Sequence, residues 1–288
     1  LVYWHENKSL EPRLYFSNRE KLICLNAITG EEIDSFGGDG KIRTGLNVLT
    51  PVINNKNNEI IIATWDRSVE VYDLLSGKTK WKFKYYPKKN IRVGGKKYNN
   101  SGANPWGGIS FDEKRQILFI TTGNPHAYYD GTLRPGNNTG ASSIIAIDIK
   151  NKKNLWTFQE TLHDIWNSDL PAPPILTSIK INNKFVDVVV NPTKRANTLI
   201  LDQVSGEPVF SYRYRKAPVS KIKGEKTSIY QPDLNIPIPF GKNIFEEKDF
   251  WSYDENLLIE IKKKYENYNY GFYETHKLGE KNLQYNQS

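Results

Sequence analysis

The sequence predicts an all-β fold of stacked antiparallel units, the architecture of a partial β-propeller. Three observations support it: one segment occurs four times, further short strand-like segments lie between the copies, and aromatic residues make up 12% of the 288 residues. Flat rings and β-branched side chains pack well on pleated surfaces. A single unit of this kind cannot bury its own apolar face, so the copies must stack, as about four blades.

The repeated segment is a hairpin with a defined turn. Its copies are LICLNAITGEEIDSF (22–36), VEVYDLLSGKTKWKF (69–83), IIAIDIKNKKNLWTF (144–158) and TLILDQVSGEPVFSY (198–212). An Asp or Asn ends each first strand, where its side chain can bond the turn amides; a Gly four residues later (Lys in the third copy) allows positive φ. Trp81 and Trp156 occupy the same later position and are expected to pack on the next unit. The uneven spacing of the copies favours propeller blades over a regular solenoid.

Further strands are predicted between the copies, at RLYFSN (13–18), NEIIIATW (58–65), QILFITT (116–122) and KFVDVVVNP (184–192). Helical periodicity appears only near the end, where one face carries Phe250, Leu257, Leu258, Ile261 and Tyr265. We therefore expect a partial propeller over residues 1–240. Residues 241–288 are expected to form a partly helical excursion between blades and a polar tail.

Composition and charge indicate which kinds of partner and which kind of chain to expect. The net charge is +8, but the Lys residues are spread through turns, which predicts a solvated surface and no nucleic-acid partner. Cys24 lies alone in an apolar stretch and is expected to be a buried thiol. The chain has no Met and opens on the strand-like Leu1–Trp4. We expect an interior fragment whose targeting signal or membrane anchor lies outside it.

Three longer stretches resemble a known family. They are GANPWGGISFDEKRQILFITTGNP (102–125), RPGNNTGASSIIAID (134–148) and FQETLHDIWNSDLPAPP (158–174), followed by NPTKRANTLILDQVSGEP (191–208). With the Asp–Gly–Trp repeat, they resemble the quinoprotein dehydrogenases that use pyrroloquinoline quinone (PQQ), in the glucose-dehydrogenase-like branch. The resemblance implies the middle of an eight-bladed propeller with tryptophan-docking motifs, from Leu1 to about Phe240.

The resemblance also implies roles for individual residues. Trp106 matches the indole that stacks under the PQQ ring, and Asn104 matches a position near its polar edge. Asn124 matches the amide ligand of the Ca²⁺ ion that polarises the quinone carbonyl. Lys194 matches the cation at the quinone oxygens, where it would stabilise the reduced form.

Each of these residues also has a structural interpretation. Trp106 can be a core aromatic, Asn124 a turn residue and Lys194 a solvated cation on a turn. His163 is expected to be a hydrogen-bonded structural histidine, because no second His or Cys stands at ligand spacing.

The base position departs from the family. Asn167 stands where the resemblance places the carboxylate that takes the alcohol proton, and an amide cannot accept that proton. Asp164 and Asp169 flank it and are the two alternatives for the base, although neither stands at the family's position. Asp169 is the second candidate catalytic residue. The loop over residues 64–68 is also shorter than its family counterpart.

Two functions follow from these observations. The first is a fragment of a PQQ- and Ca²⁺-dependent oxidoreductase, inactive alone, that oxidises a sugar or alcohol in the periplasm and passes electrons to a quinone or cytochrome. The second is a non-catalytic β-propeller scaffold or binding protein derived from a quinoprotein, which Asn167 and the short loop favour. Whether the chain is part of an enzyme stays open at this point.

Overall fold

The computed structural model describes residues 1–6, 10–85, 90–93, 96–99, 102–242, 244–268 and 270–277, with the backbone alone over 90–93 and 96–99. The described part is almost entirely β-structure in antiparallel sheets. Because the predicted tail extends past residue 277, its last residues lie outside the described ones. The division at residue 240 stays a prediction.

Successive sheets follow one another along the chain. The first has three strands: β1 (Val2–Trp4), β2 (Arg13–Asn26) and β3 (Lys41–Asn47). The second has four: β4 (Val52–Asn54), β5 (Glu59–Thr64), β6 (Ser68–Asp73) and β7 (Thr79–Lys84). After the ribbon of β8 (Asn90–Val93) and β9 (Lys96–Asn99) comes a third, again of four strands: β10 (Gly108–Asp112), β11 (Ile117–Thr121), β12 (Ser143–Asp148) and β13 (Lys153–Gln159).

A fourth sheet has three strands: β14 (Ile175–Ile181), β15 (Lys184–Pro192) and β16 (Thr198–Asp202). The ribbon of β17 (Arg213–Lys216) and β18 (Tyr230–Asp233) follows. The helical elements are short: two single 3₁₀ turns at Asn55–Asn57 and Glu247–Asp249, and α1 (Glu255–Tyr265). In the described ranges, no helix is both long and apolar enough to cross a bilayer.

The sheets stack face to face, as in propeller blades. Strand β5 is buried on both sides: Ile60 and Ile62 pack with the first sheet, whereas Ile61 and Ala63 pack with the third. The alternation of side chains along a strand puts these two pairs on opposite faces. The next such strand, β11, places Leu118 toward the second sheet and Phe119 toward the fourth. The predicted stacking of units is confirmed.

The predicted turn chemistry is present in every copy of the repeat. The side chain of Asn26 accepts the amide N–H of Ile28, and Asp73, Asp148 and Asp202 likewise accept amides two or three residues ahead, at 2.7 to 2.9 Å. The Gly position has positive φ throughout, and Lys152 takes it with φ 54°.

The two repeat tryptophans dock on the next unit, as predicted. Trp156 packs on Gly206, and its Nε1 donates to the carbonyl of Gln203 at 3.2 Å. Trp81 lies under Lys152, whose Nζ is 5.4 Å from the ring centroid. These rings join neighbouring sheets, so the sequence spacing encodes contacts between blades.

Replacing Gly206 with Ala should cost more stability than the same change at Gly30. Both residues occupy the repeat turn with φ 74° and 78°, so each Ala pays about 1 kcal/mol of left-handed strain. Only at Gly206 would the new β-carbon also collide with a docked ring, Trp156; at Gly30 nothing lies within 4 Å. We expect a further loss of about 1–3 kcal/mol for Gly206→Ala in urea unfolding. Equal losses for the two variants would contradict tryptophan docking.

Local predictions hold with small changes in their bounds. The segment 13–18 is the start of one long strand that runs through to Asn26. Helix α1 begins after Asp254, whose side chain accepts the amide of Leu257 at 2.8 Å. Phe250 was expected on the helix face but lies before the helix, where its ring stacks on Tyr265. Cys24 is buried, as expected.

Candidate functional site

The predicted site residues meet at one cavity. It has a volume of about 810 Å³, within the range typical of small-molecule sites. Five of the six candidates line it: Asn104, Trp106, Asn124, Asn167 and Asp169. The sixth, Lys194, is bonded to Asp169 at its edge. The fold therefore brings together residues from three separate stretches of sequence.

Asp169 is the centre of the hydrogen bonds in the site. Its Oδ1 accepts the amide of Asn124 at 2.7 Å and the indole N–H of Trp106 at 3.3 Å. Its Oδ2 forms an ion pair with Lys194 Nζ at 3.1 Å. The carboxylate thus fixes the aromatic ring, the strand end after β11 and the cation relative to one another.

Asn167 lies against these groups. With its amide oxygen toward Lys194, it accepts from Nζ at 3.1 Å and donates to Asp169 Oδ2 at 2.9 Å. The Asn167 side-chain amide also lies 2.8 Å from the side-chain nitrogen, Nδ2, of Asn124. Its backbone has φ 62°, a conformation that Asn and Asp adopt more readily than most residues. Asn167 thus presents an amide to the cavity, between Asp169 and Lys194.

Trp106 presents part of its ring to the cavity, with 38% of the residue exposed. It is not a fully buried core aromatic. A glycine lets the ring lie this close to the strand end: a β-carbon at Gly123 would be 2.5 Å from Trp106 Nε1 and 2.7 Å from Asp169 Oδ1. Asn104 supports the same turn, since its carbonyl accepts the amides of Trp106 and Gly123 at 3.0 Å.

The loop that carries Asn167 is shaped by Asp164. That carboxylate accepts Ser142 Oγ at 2.7 Å and the amides of Trp166 and Ser168 at 2.8 Å. Burial raises the pKa of Asp164 above its ordinary value, although these bonds oppose the rise. Asp164 is fully buried and is not among the residues that line the cavity, so its position does not support the alternative that it replaces the base. His163 is also buried, with Nδ1 2.6 Å from the carbonyl of Gly136.

Lys194 stands on a turn between β15 and β16 that a buried glutamate holds. Glu160 accepts Thr193 Oγ1 at 2.7 Å and Asn197 Nδ2 at 2.8 Å. Burial raises the pKa of Glu160 above its ordinary value. Because the two bonded residues flank Lys194, Glu160 determines where the cation lies.

Several lining residues were missed by sequence reasoning. The short loop over residues 64–68 contributes Trp65, Asp66 and Arg67, and a second wall is made of His126, Tyr128 and Tyr129. The sequence had indicated only that this loop is shorter than its counterpart in the family. Trp65 is tied to the site because Asn104 Nδ2 donates to its carbonyl oxygen. A sequence signal existed for both walls in the aromatic residues next to predicted strand ends.

The lining offers a flat face and polar edges to a bound molecule. The exposed Trp106 ring is a stacking face, and the side-chain amides of Asn104, Asn124 and Asn167 are polar groups along the wall. Within the described ranges, no three His, Cys, Asp or Glu side chains converge on a metal site. Since Ca²⁺ takes six to eight oxygen ligands, an ion at Asn124 and Asp169 would need further oxygens from a bound cofactor.

Comparisons with known proteins relate the chain to one family. The model of the family described as "PQQ: Glucose/ethanol/alcohol dehydrogenase, beta-propeller domain" matches residues 1–286. The chain is 27% identical over 275 residues to a glycerol dehydrogenase large subunit of Gluconobacter thailandicus, covering 86% of this chain and 37% of that protein. It is 27% identical to a quinoprotein glucose dehydrogenase A of Acinetobacter calcoaceticus, covering 81% and 33%.

A solved structure shows the same fold. The quinohemoprotein alcohol dehydrogenase of Comamonas testosteroni superposes with a TM-score of 0.56 and 21% identity, over 75% of this chain and 36% of that one. The chain spans about a third of the length of the curated relatives it matches.

Proposed function

Because this chain belongs to the β-propeller family of PQQ-dependent glucose, ethanol and alcohol dehydrogenases, we propose that its cavity binds PQQ and serves the oxidation of a sugar or alcohol. One observation carries the proposal: Trp106, Asn124, Asn167 and Asp169, with Lys194 attached, lie around one cavity of suitable size. When bound, PQQ would accept the hydride equivalent removed from the substrate carbon.

The residues of this chain would bind and orient PQQ. Trp106 gives the ring a flat face, and Lys194 places a positive charge at its oxygens, with Asn104 at the polar edge. A Ca²⁺ ion would be held at Asn124, by its amide oxygen. Asp169 keeps these groups in place through its bonds to Trp106 and Lys194.

The site has little capacity to accept the proton of the substrate hydroxyl. Asn167 cannot take a proton, and Asp169 already accepts from Trp106, Asn124 and Lys194. Asp169 is nevertheless the carboxylate nearest to the base position and is proposed as the base. The same facts favour a second candidate function, a PQQ-binding propeller without turnover.

The remaining expectations are proposals of the same kind. Electrons would pass to a quinone or cytochrome, in the periplasm, and any membrane association would come from segments other than these. The 288 residues alone would be inactive, because the chain spans about a third of the length of its relatives. Dye reduction by the isolated chain would contradict this last point.

Titration of the complete protein with PQQ, with and without Ca²⁺, tests the proposed site. We expect PQQ to quench Trp fluorescence through stacking on Trp106, and the affinity to fall about tenfold or more in Trp106→Ala. Trp251→Ala is the matched control, because that indole is exposed and away from the cavity. If the wild-type protein does not bind PQQ, the proposed cofactor site is wrong. The result would then favour the non-catalytic scaffold function.

A further inference from the structure

A short C-terminal segment packs on the loop that carries Asn167. We call residues 271–276 the strap. Glu274 accepts the indole N–H of Trp166 at 2.7 Å through its backbone carbonyl, and His276 Nε2 lies 2.8 Å from the carbonyl of Ile165. More than 100 residues separate the partners along the chain. The strap thus bonds the two residues that immediately precede Asn167.

Tyr273 is the buried anchor of the strap, with 3% of it exposed. Its ring makes an edge contact with Trp166 at 4.9 Å between centroids. Its hydroxyl lies 3.2 Å from Thr161 Oγ1, and burial raises the pKa of that hydroxyl to about 12, so it stays protonated. Tyr273 therefore packs on the Asn167 loop.

The strap also reaches the other side of the site. The guanidinium carbon of Arg195, the neighbour of Lys194, lies 3.7 Å from the centre of the Tyr273 ring, a cation–π contact. Tyr129, on the cavity wall, makes an edge contact with His276 at 6.0 Å. One segment thus contacts the Asn167 loop, the Lys194 turn and the aromatic wall, although none of its residues lines the cavity.

We propose that the strap is a positioning element, in which Tyr273 holds the Asn167–Asp169 loop and the Lys194 turn in the register that the cavity needs. This proposal depends on the proposed function in one respect: PQQ is the ligand in its affinity test. In metal sites, residues that act through the ligands in this way change affinity by about 10- to 100-fold when removed, and we expect an effect at the lower end of that range here.

The test compares Tyr273→Ala, Tyr273→Phe and Tyr15→Ala in the complete protein. Tyr15 is a matched control: it is fully buried, bonds a backbone carbonyl and lies in the first sheet. We expect Tyr273→Ala to weaken PQQ binding about tenfold or more. Tyr273→Phe keeps the ring contacts and should restore the affinity to within about twofold. Tyr15→Ala should lower the melting temperature and leave the affinity unchanged.

Hydrogen exchange without PQQ separates the strap from the proposed function. In Tyr273→Ala the amides of Trp166 and Ser168, which bond Asp164, should exchange faster than in wild type, and in Tyr15→Ala they should not. If Tyr273→Ala fails to fold, Trp166→Phe replaces it, since it removes the indole bond to Glu274 and keeps an aromatic ring against Tyr273. Unchanged exchange in Tyr273→Ala would overturn the proposal that the strap positions the loop. An equal loss of PQQ affinity in Tyr15→Ala would overturn it as well. If the wild-type protein binds no PQQ, the proposed function is wrong. The hydrogen-exchange data alone then decide whether the strap positions the loop.

Discussion

Asn167→Asp is expected to raise the rate of dye reduction by the complete, PQQ-loaded protein by about 100-fold or more. The substitution restores a carboxylate at the base position, and a positioned general base contributes about 10²–10⁴-fold to rate. Asp tolerates the φ of 62° found there. Lys194, 3.1 Å from the amide oxygen, would then be shared between the new carboxylate and Asp169, which lies 2.9 Å from the amide nitrogen. The gain should disappear as the pH falls below the pKa of the new carboxylate, because only its charged form accepts a proton.

Asn104→Asp is the matched control, since it adds the same charge to the same cavity at another position. We expect no increase in turnover from it. If Asn167→Asp is no faster than wild type while PQQ is bound, the prediction is wrong. Dye reduction by both proteins at the same rate would then make Asp169 a competent base, whereas no dye reduction by either would mean that position 167 of this chain has no catalytic role.

Asp169→Ala is expected to lower the free energy of unfolding by about 3 kcal/mol and to abolish measurable PQQ binding. Asp169 and Lys194 are both largely buried, with 8% and 19% of their side chains exposed. Removing one partner of such a pair leaves the other charge unpaired at low dielectric. The amide of Asn124 and the indole N–H of Trp106 lose their acceptor as well.

Urea unfolding and the fluorescence titration measure the two effects. Asp66→Ala is the control, because Asp66 also lines the cavity and pairs with Lys84. Its side chain is 47% exposed, so its loss should cost less than about 1 kcal/mol. A similar cost for both variants would mean that Asp169 does not organise the site.

The sequence by itself determined the repeat and much of the candidate site. Asp or Asn, then Gly, then Trp at constant offsets encode a turn and a docking ring, because these interactions depend on local backbone geometry and on the immediately following unit. The resemblance supplied Asn104, Trp106, Asn124, Asn167 and Lys194, and Asp169 was a candidate because it flanks Asn167. The structure brings all six together.

Only the tertiary structure decided how these residues interact. Asp164 and Asp169 flank Asn167 equally in sequence, yet one is buried in loop bonds and the other faces the cavity. No local pattern distinguishes them, because the bond from Ser142 to Asp164 and the contacts of Asp169 with Asn124 and Lys194 join parts of the chain that are distant in sequence. The strap depends on a contact across more than 100 residues. Such contacts follow from how the chain packs as a whole, so neither periodicity nor a motif reveals them.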